Sequence, residues 1–263
     1  MKNSKVSFPP IPKITQEIIN AIDNKKLLIF VGAGVSKLYG YPRWIELGSI
    51  LIDKAIDEGI ITYSEKETLL NGGFSPMEIV TIMTNKFDSN LKSSGVEHII
   101  NELSDDKNKD KRLSNKIAKY LSTYNSLIIT TNADTSLEGT KYFKDRYILN
   151  DFTKFKSGPH NFFSLIHLHG CIKEPESLVF TSEQYAKAYT IGSTFGQNLS
   201  SLFNDNEWVI LFFGYGVAEF ELIRYFIKDK NTDVKRLFLV QGYLEKDVVK
   251  RNLDDDFYNS LGI

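Results

Sequence analysis

Cysteine is almost missing from this sequence, which contains one, Cys171, among 263 residues. A single cysteine excludes an intramolecular disulfide framework and any zinc site built from four cysteines, and it fits a reducing compartment. No run of about 18 apolar residues occurs, and the segment 1–13 lacks an apolar core of signal-peptide length. We therefore expect a soluble, cytoplasmic protein with no membrane partner.

The sequence also has no excess of positive or of negative charge. Lysine and arginine number 32 and aspartate and glutamate 33, which gives a formal net charge of −1. This balance argues against a general nucleic-acid-binding protein, so no direct nucleic-acid partner is expected. Hydrophobic residues make up 42% and charged residues 25% of the chain, an ordinary globular composition.

Five apolar runs, each ending in glycine or polar residues, predict buried strands. They lie at 25–32, 126–132, 164–170, 208–216 and 236–243. Helical patterns separate several of them, and strands that alternate with helices predict an α/β fold with a parallel sheet flanked by helices.

Helical periodicity also fills the long interval between the first two predicted strands. Ser75 followed by Pro76 predicts a helix start, and Ser64 ahead of Glu67 has the spacing of a capping box. We interpret 51–123 as a helical insertion into a core formed by 13–50 and 124–263.

Small or polar residues follow four of the predicted strands. Each group alone has an ordinary explanation as a turn, a helix cap or a core histidine. Because parallel strands end at one edge of a sheet, where ligands bind in open α/β folds, the four together predict a binding site. The groups are Gly32-Ala33-Gly34, Thr131-Asn132-Ala133-Asp134, His169-Gly170 and Gly214-Tyr215-Gly216.

The motifs GAGVS, TTNAD, HLHG and FGYG, in this order, resemble the sirtuin-type NAD-binding fold. The likeness is to the SIR2-like domains of bacterial anti-phage defence systems, and it runs from about Lys25 to about Gly242. Two further segments, YPRW and FTSEQY, agree with it. The resemblance implies a Rossmann-like sheet, NAD+ as substrate without a metal, and a bacterial cytoplasmic protein. It also implies a homo-oligomer, and an activity that is gated by oligomerisation or by a phage protein.

By this resemblance Asn132 and His169 form a catalytic pair. Asn132 would hydrogen-bond the ribose hydroxyls or a water with both ends of its amide. His169, with an ordinary pKa near ~6.5, would take a proton from a ribose hydroxyl or a water. Asp134 would support Asn132 or face the nicotinamide pocket. His167, which lies deeper in the strand, is expected to be structural.

The resemblance also implies how NAD+ is held. The pyrophosphate would lie against the backbone of Gly32, Ala33 and Gly34, where side chains would separate it from the amide N–H groups. Ser36 would bind a phosphate or a ribose, or else cap a helix. The remaining residues expected at the ligand are Trp44, Thr131, Gly214, Tyr215 and Gly216.

Three activities stay open. The first is NAD+ glycohydrolysis to nicotinamide and ADP-ribose, which by resemblance would deplete NAD+ in abortive infection. The second is NAD-dependent protein deacylation, which is disfavoured because one cysteine excludes the four-cysteine zinc module of classical deacylases. The third is non-enzymatic sensing of NAD or ADP-ribose, against which Asn132 and His169 argue. We also expect the chain to be the N-terminal part of a longer protein.

Overall fold

In this computed structural model a central sheet carries helices on both faces. The structure describes residues 13–90, 94–105, 109–124, 126–138, 140–143, 145–148, 164–190, 192–204, 208–216, 222, 225, 236–242 and 247–263. The predicted α/β class with a parallel sheet flanked by helices is confirmed.

Six strands form the sheet in the order β3-β4-β2-β1-β5-β6, and every pairing is parallel. Their bounds are β1 Leu27–Val31, β2 Leu127–Thr130, β3 Asp145–Ile148, β4 Ser164–His167, β5 Val209–Phe213 and β6 Leu237–Val240. Five of them fall inside the predicted apolar runs. The sequence analysis missed β3, because its sequence DRYI has no apolar run; as an edge strand it pairs only with β4.

Helices occupy the remaining described elements. Their bounds are α1 Gln16–Asp23, α2 Ala33–Leu38, α3 Trp44–Asp57, α4 Tyr63–Asn71, α5 Pro76–Ser89, α6 Gly95–Ser104, α7 Lys111–Thr123, α8 Ser182–Ala188, α9 Thr194–Asn204 and α10 Val248–Ser260. None of these described helices is long and apolar enough to cross a membrane.

The central strand β1 is buried along its whole length, and its side chains alternate between two hydrophobic cores. Leu27, Ile29 and Val31 join the core shared with α3 to α7. Leu28 and Phe30 join the opposite core, which includes side chains of α8 and α9. Helices α4 to α7, which lie in the region 51–123 interpreted as an insertion, thus pack together with α3 on one face of the sheet.

Capping residues fix where two of these helices begin. Ser75 caps α5 as predicted, with Pro76 as its first residue. The capping box predicted at Ser64 and Glu67 is wrong, because the chain enters α4 two residues earlier. Thr62 has extended backbone and accepts from the Glu65 amide at 3.3 Å, while the Glu65 carboxylate accepts from the Thr62 amide at 2.7 Å.

Candidate functional site

The loops that follow β1, β2, β4 and β5 meet at the carboxyl edge of the sheet and line a cavity of about 460 Å³. The structure thereby brings together the four motifs that the sequence analysis singled out. The predicted site residues in the lining are Ala33, Gly34, Ser36, Trp44, Thr131, Asn132, Asp134, His169, Gly214, Tyr215 and Gly216. Gly32 lies behind this surface, where it contacts the β5 loop.

The glycines after β1 are required by a contact between two loops of the protein itself. A Cβ atom on Gly32 would lie 2.5 Å from the Cα of Tyr215, and one on Gly34 would lie 2.8 Å from the carbonyl oxygen of Gly214. The sequence analysis attributed the missing side chains to a bound pyrophosphate. The structure gives a different reason, which is the close approach of the β1 and β5 loops.

The same contact uses two of the three backbone amides expected to face the pyrophosphate. The N–H of Gly32 donates to the carbonyl of Phe213 at 3.0 Å, and the N–H of Gly34 donates to that of Gly214 at 2.8 Å. Ala33 begins α2, and first-turn amides have no partner within their own helix. Its N–H is therefore the amide of this loop that suits an anionic ligand.

Asn132, Ser36 and Asp134 form one hydrogen-bonded chain beside the cavity. The Asn132 amide nitrogen donates to Ser36 Oγ at 2.7 Å and to the Gly32 carbonyl at 3.0 Å. The Ser36 hydroxyl donates to Asp134 Oδ2 at 2.5 Å, and Asp134 Oδ1 accepts from the Ser136 amide. Ser36 lies inside α2, so the alternative that it caps a helix is wrong. Asp134 supports Asn132 indirectly, through Ser36.

His169 lies in the turn after β4, with its ring between two tyrosines. Its Nε2 is 2.8 Å from the Tyr189 hydroxyl and its Nδ1 is 3.1 Å from the Tyr185 hydroxyl. The residue is 2% exposed, and burial lowers the pKa of its imidazole to about 3. The ring is therefore neutral at pH 7 and much less basic than the ordinary pKa assumed from the sequence.

Aromatic side chains and one ion-pair cluster complete the lining. Trp44 packs against Phe180 with ring centroids 5.2 Å apart, and Tyr215 stacks on Phe212. Arg43 stands at the rim, where its guanidinium lies 3.1 Å from the carboxylate of Glu46. The cavity thus combines apolar walls with a basic side chain at its mouth.

Behind Asn132 lies a buried pair, His167 and Glu138. His167 Nδ1 is 2.7 Å from the backbone carbonyl oxygen of Asn132, and His167 Nε2 is 2.9 Å from Glu138 Oε1. Strand β4 ends at His167, so the two histidines do not continue on one strand face. His169 turns towards the tyrosines and His167 towards Glu138.

Glu138, His167 and Cys171 are also a candidate metal-ligand set, since one ligand atom of each lies within 4.8 Å of the others. Two observations count against a metal here. Lys173 and Arg146 lie 3.0 and 3.3 Å from the same Glu138 carboxylate, and burial raises the pKa of the Cys171 thiol to about 12. That the protein needs no metal stays a prediction.

The sequence analysis missed Tyr189, Glu138 and Arg43 as parts of this site. Tyr185 and Arg43 do occur in the quoted segments FTSEQY and YPRW, but no role was assigned to them. Tyr185 lies in α8 and Tyr189 is the C-cap residue of that helix, so a spacing of four residues places the two rings side by side next to His169. That spacing is a signal from which the pair could have been found.

Comparison with known protein families adds one finding. A family model described as a SIR2-like domain matches residues 126–254, somewhat under half of the chain. This match supports the resemblance of the chain to the SIR2-like family. The SIR2-like segment contains Asn132, His169 and the β5 loop, and it begins after the Gly32 loop. SIR2-like domains bind NAD+, so the match indicates an NAD-related activity. No curated protein matches the chain significantly.

Proposed function

We propose that this protein is an NAD+ hydrolase that cleaves the bond between nicotinamide and ribose. One observation carries the proposal: Asn132 and His169 reach a single cavity whose floor is the glycine-containing contact between the β1 and β5 loops. The SIR2-like match supports a nicotinamide dinucleotide as the proposed ligand of this cavity.

The reaction places few demands on acid catalysis. The C1′–N bond breaks with both electrons moving to the pyridinium nitrogen, so nicotinamide leaves as a neutral molecule. The ribose then carries positive charge in an oxocarbenium-like transition state, as in glycoside hydrolysis. Water adds to C1′ and loses one proton, which gives nicotinamide, ADP-ribose and H+.

Asn132 is the residue best placed to hold the ribose or the water. Its amide nitrogen is already bonded to Ser36 and to the Gly32 carbonyl, which orients the side chain. The amide oxygen is the end that remains for a ligand, and it can only accept a hydrogen bond. A ribose hydroxyl or the attacking water supplies the matching donor.

His169 would act from a neutral ring. Both of its ring nitrogens contact tyrosine hydroxyls, so a ribose hydroxyl or water must replace one of these contacts before the ring can accept a proton. General bases work best when their pKa lies near the working pH. A pKa of about 3 makes the buried ring a weak base. The proposed chemistry therefore includes a step in which the substrate replaces one of the two tyrosine contacts.

The pyrophosphate would be held at the opposite end of the cavity. The Ala33 amide at the start of α2 offers one donor, and Arg43 at the rim offers a positive charge that is shared with Glu46. Tyr215 and Gly216 of the β5 loop would face the adenosine half.

The direct test measures nicotinamide released from NAD+ by the purified protein with no acyl peptide present. We expect turnover by the parent protein, and a loss of about 10²–10⁴-fold in kcat for Asn132→Ala and His169→Ala with NAD+ binding retained. Release that requires an acyl-lysine peptide would mean a deacylase instead. NAD+ binding without any release would mean a sensing module.

We further propose a defence role, in which a cytoplasmic homo-oligomer depletes NAD+ after activation by a phage protein. The support is the motif order described above. The test compares bacteria that express the parent chain or His169→Ala during phage infection. A fall in NAD+ and in plaque number only with the parent chain is expected, and equal plaque numbers would contradict the role.

A further inference from the structure

We propose that His167, held as an imidazolium by Glu138, is a positioning residue that fixes Asn132 for the reaction. This inference rests on the proposed function, because Asn132 matters for chemistry only if the cavity cleaves NAD+. The sequence analysis expected His167 to be structural.

Hydrogen-bond chemistry sets the charge of the ring. Nδ1 lies 2.7 Å from the Asn132 carbonyl oxygen, and Nε2 lies 2.9 Å from a Glu138 carboxylate oxygen. A carbonyl oxygen and a carboxylate oxygen can only accept hydrogen bonds. A proton on Nδ1 is needed for the hydrogen bond to Asn132, and a proton on Nε2 is needed for the ion pair with Glu138. His167 is 1% exposed, so this imidazolium lies out of water.

Glu138 supplies the counter-charge. Burial alone would raise the pKa of this carboxyl, but its contacts with His167, Lys173 and Cys171 outweigh burial and lower the pKa to about 2. The carboxylate is thus ionised at neutral pH. The other charged groups around it are Arg146, 3.3 Å away, and Glu174, which pairs with Arg146 at 2.6 Å.

The result is that Asn132 is held at two points. His167 binds its backbone carbonyl from below, and Ser36 with the Gly32 carbonyl binds its amide nitrogen from the side. The loop that carries Asn132 follows β2. In this loop the backbone N–H of Asn132 donates to Thr130 Oγ1 at 3.0 Å. With the backbone fixed, the amide oxygen keeps one direction into the cavity, and a shift of about 1 Å in such a group can cost about 10²-fold in rate.

The test compares three changes at His167 with one matched control. His167→Gln removes the charge, His167→Ala removes the ring, and His167→Lys restores a cation with several donors. The control is His98→Ala, because His98 forms a second histidine–glutamate pair, with Glu58 at 3.5 Å, and neither of these two residues lines the cavity. Readouts are kcat and KM for nicotinamide release, the pH profile, thermal stability and metal content.

We expect His167→Gln and His167→Ala to lower kcat about 10²-fold with KM for NAD+ changed less than about threefold. His167→Lys should recover most of kcat, because it restores donors beside the Asn132 carbonyl and Glu138. If kcat falls only in proportion to thermal stability, in the His98→Ala control as well, the positioning role is wrong. One equivalent of bound metal that disappears in His167→Ala would also overturn it.

A readout that does not depend on turnover separates this inference from the proposed function. Hydrogen exchange of the amides in 131–137 should accelerate in His167→Gln and remain slow in His167→Lys. If the parent protein releases no nicotinamide but exchange follows this pattern, the hydrolase proposal fails while the anchoring of Asn132 stands. Unchanged exchange in His167→Gln would overturn the anchoring itself.

Discussion

Ser36 Oγ lies 2.5 Å from Asp134 Oδ2, across 98 residues of sequence. This hydrogen bond joins the helix after β1 to the loop after β2, and the same hydroxyl accepts from the Asn132 amide at 2.7 Å. One serine therefore connects a buried carboxylate to the amide that we place in the chemistry. The GAGVS segment contributes to the site through this serine as much as through its glycines.

Replacing Ser36 by alanine removes both of these hydrogen bonds. Asp134 then keeps the Ser136 amide but loses a hydroxyl donor in a buried place, which costs about 1–3 kcal/mol of unfolding free energy. The freed Asn132 amide should lower kcat for nicotinamide release by about 10²-fold. Ser49→Ala, which changes an exposed serine bonded within its own helix, is the control. Full activity in Ser36→Ala would show that Asn132 does not need this support.

Gly34→Val should destabilise the fold as well as the site. The added Cβ would approach the Gly214 carbonyl oxygen to 2.8 Å, so the β1 and β5 loops must separate. Overpacking of this kind typically costs about 1–3 kcal/mol, and a chemical denaturation curve measures it. Gly242→Ala is the control, since a Cβ there meets nothing within 4 Å in the part of the chain that the structure describes. A Gly34→Val protein of parent stability that has lost only NAD+ binding would instead favour a pyrophosphate against this glycine.

Gly216→Ala should weaken NAD+ binding without changing stability, in contrast to Gly34→Val. A Cβ at Gly216 meets no atom of the described residues within 4 Å, yet Gly216 lines the cavity. We expect parent stability and an NAD+ affinity lowered about tenfold, because the methyl group would occupy space needed by the adenosine half. Calorimetric titration with NAD+ measures this change. An unchanged affinity would mean that the ligand does not reach the β5 loop.

Local sequence patterns were sufficient for much of the fold. The run LLIFV of β1 is buried on both sides, and such a run is recognisable without tertiary information. The four motifs at strand ends met at one edge because parallel strands require it. Strand β3 could not be predicted, since its partner β4 and not its own composition makes it a strand.

Contacts between distant segments account for what the sequence did not show. Position 34 requires a glycine because the backbone of Gly214 lies against it, and no sequence periodicity links the two positions. The low pKa of His169 comes from burial beside helix α8, so a histidine in a motif could be assigned only its ordinary value. Both corrections concern the contacts of residues that do line one cavity, and that this cavity binds NAD+ stays a prediction.

The buried His169 also makes stability depend on pH. Its pKa falls from 6.5 to about 3 on folding, so between these values the unfolded chain binds a proton that the folded protein does not, and stability is lost as the pH falls. The pKa of Glu138, which is lowered from 4.5 to about 2, affects stability in the same direction but only below about pH 4.5.

From pH 6.5 to 4.5 the parent protein should therefore lose about 2 kcal/mol more unfolding free energy than His169→Gln, which has no group to protonate at position 169. Urea denaturation of both proteins at pH 6.5, 5.5 and 4.5 measures the difference. Parallel pH dependences would mean that the His169 imidazole takes up a proton in the folded protein at an ordinary pH.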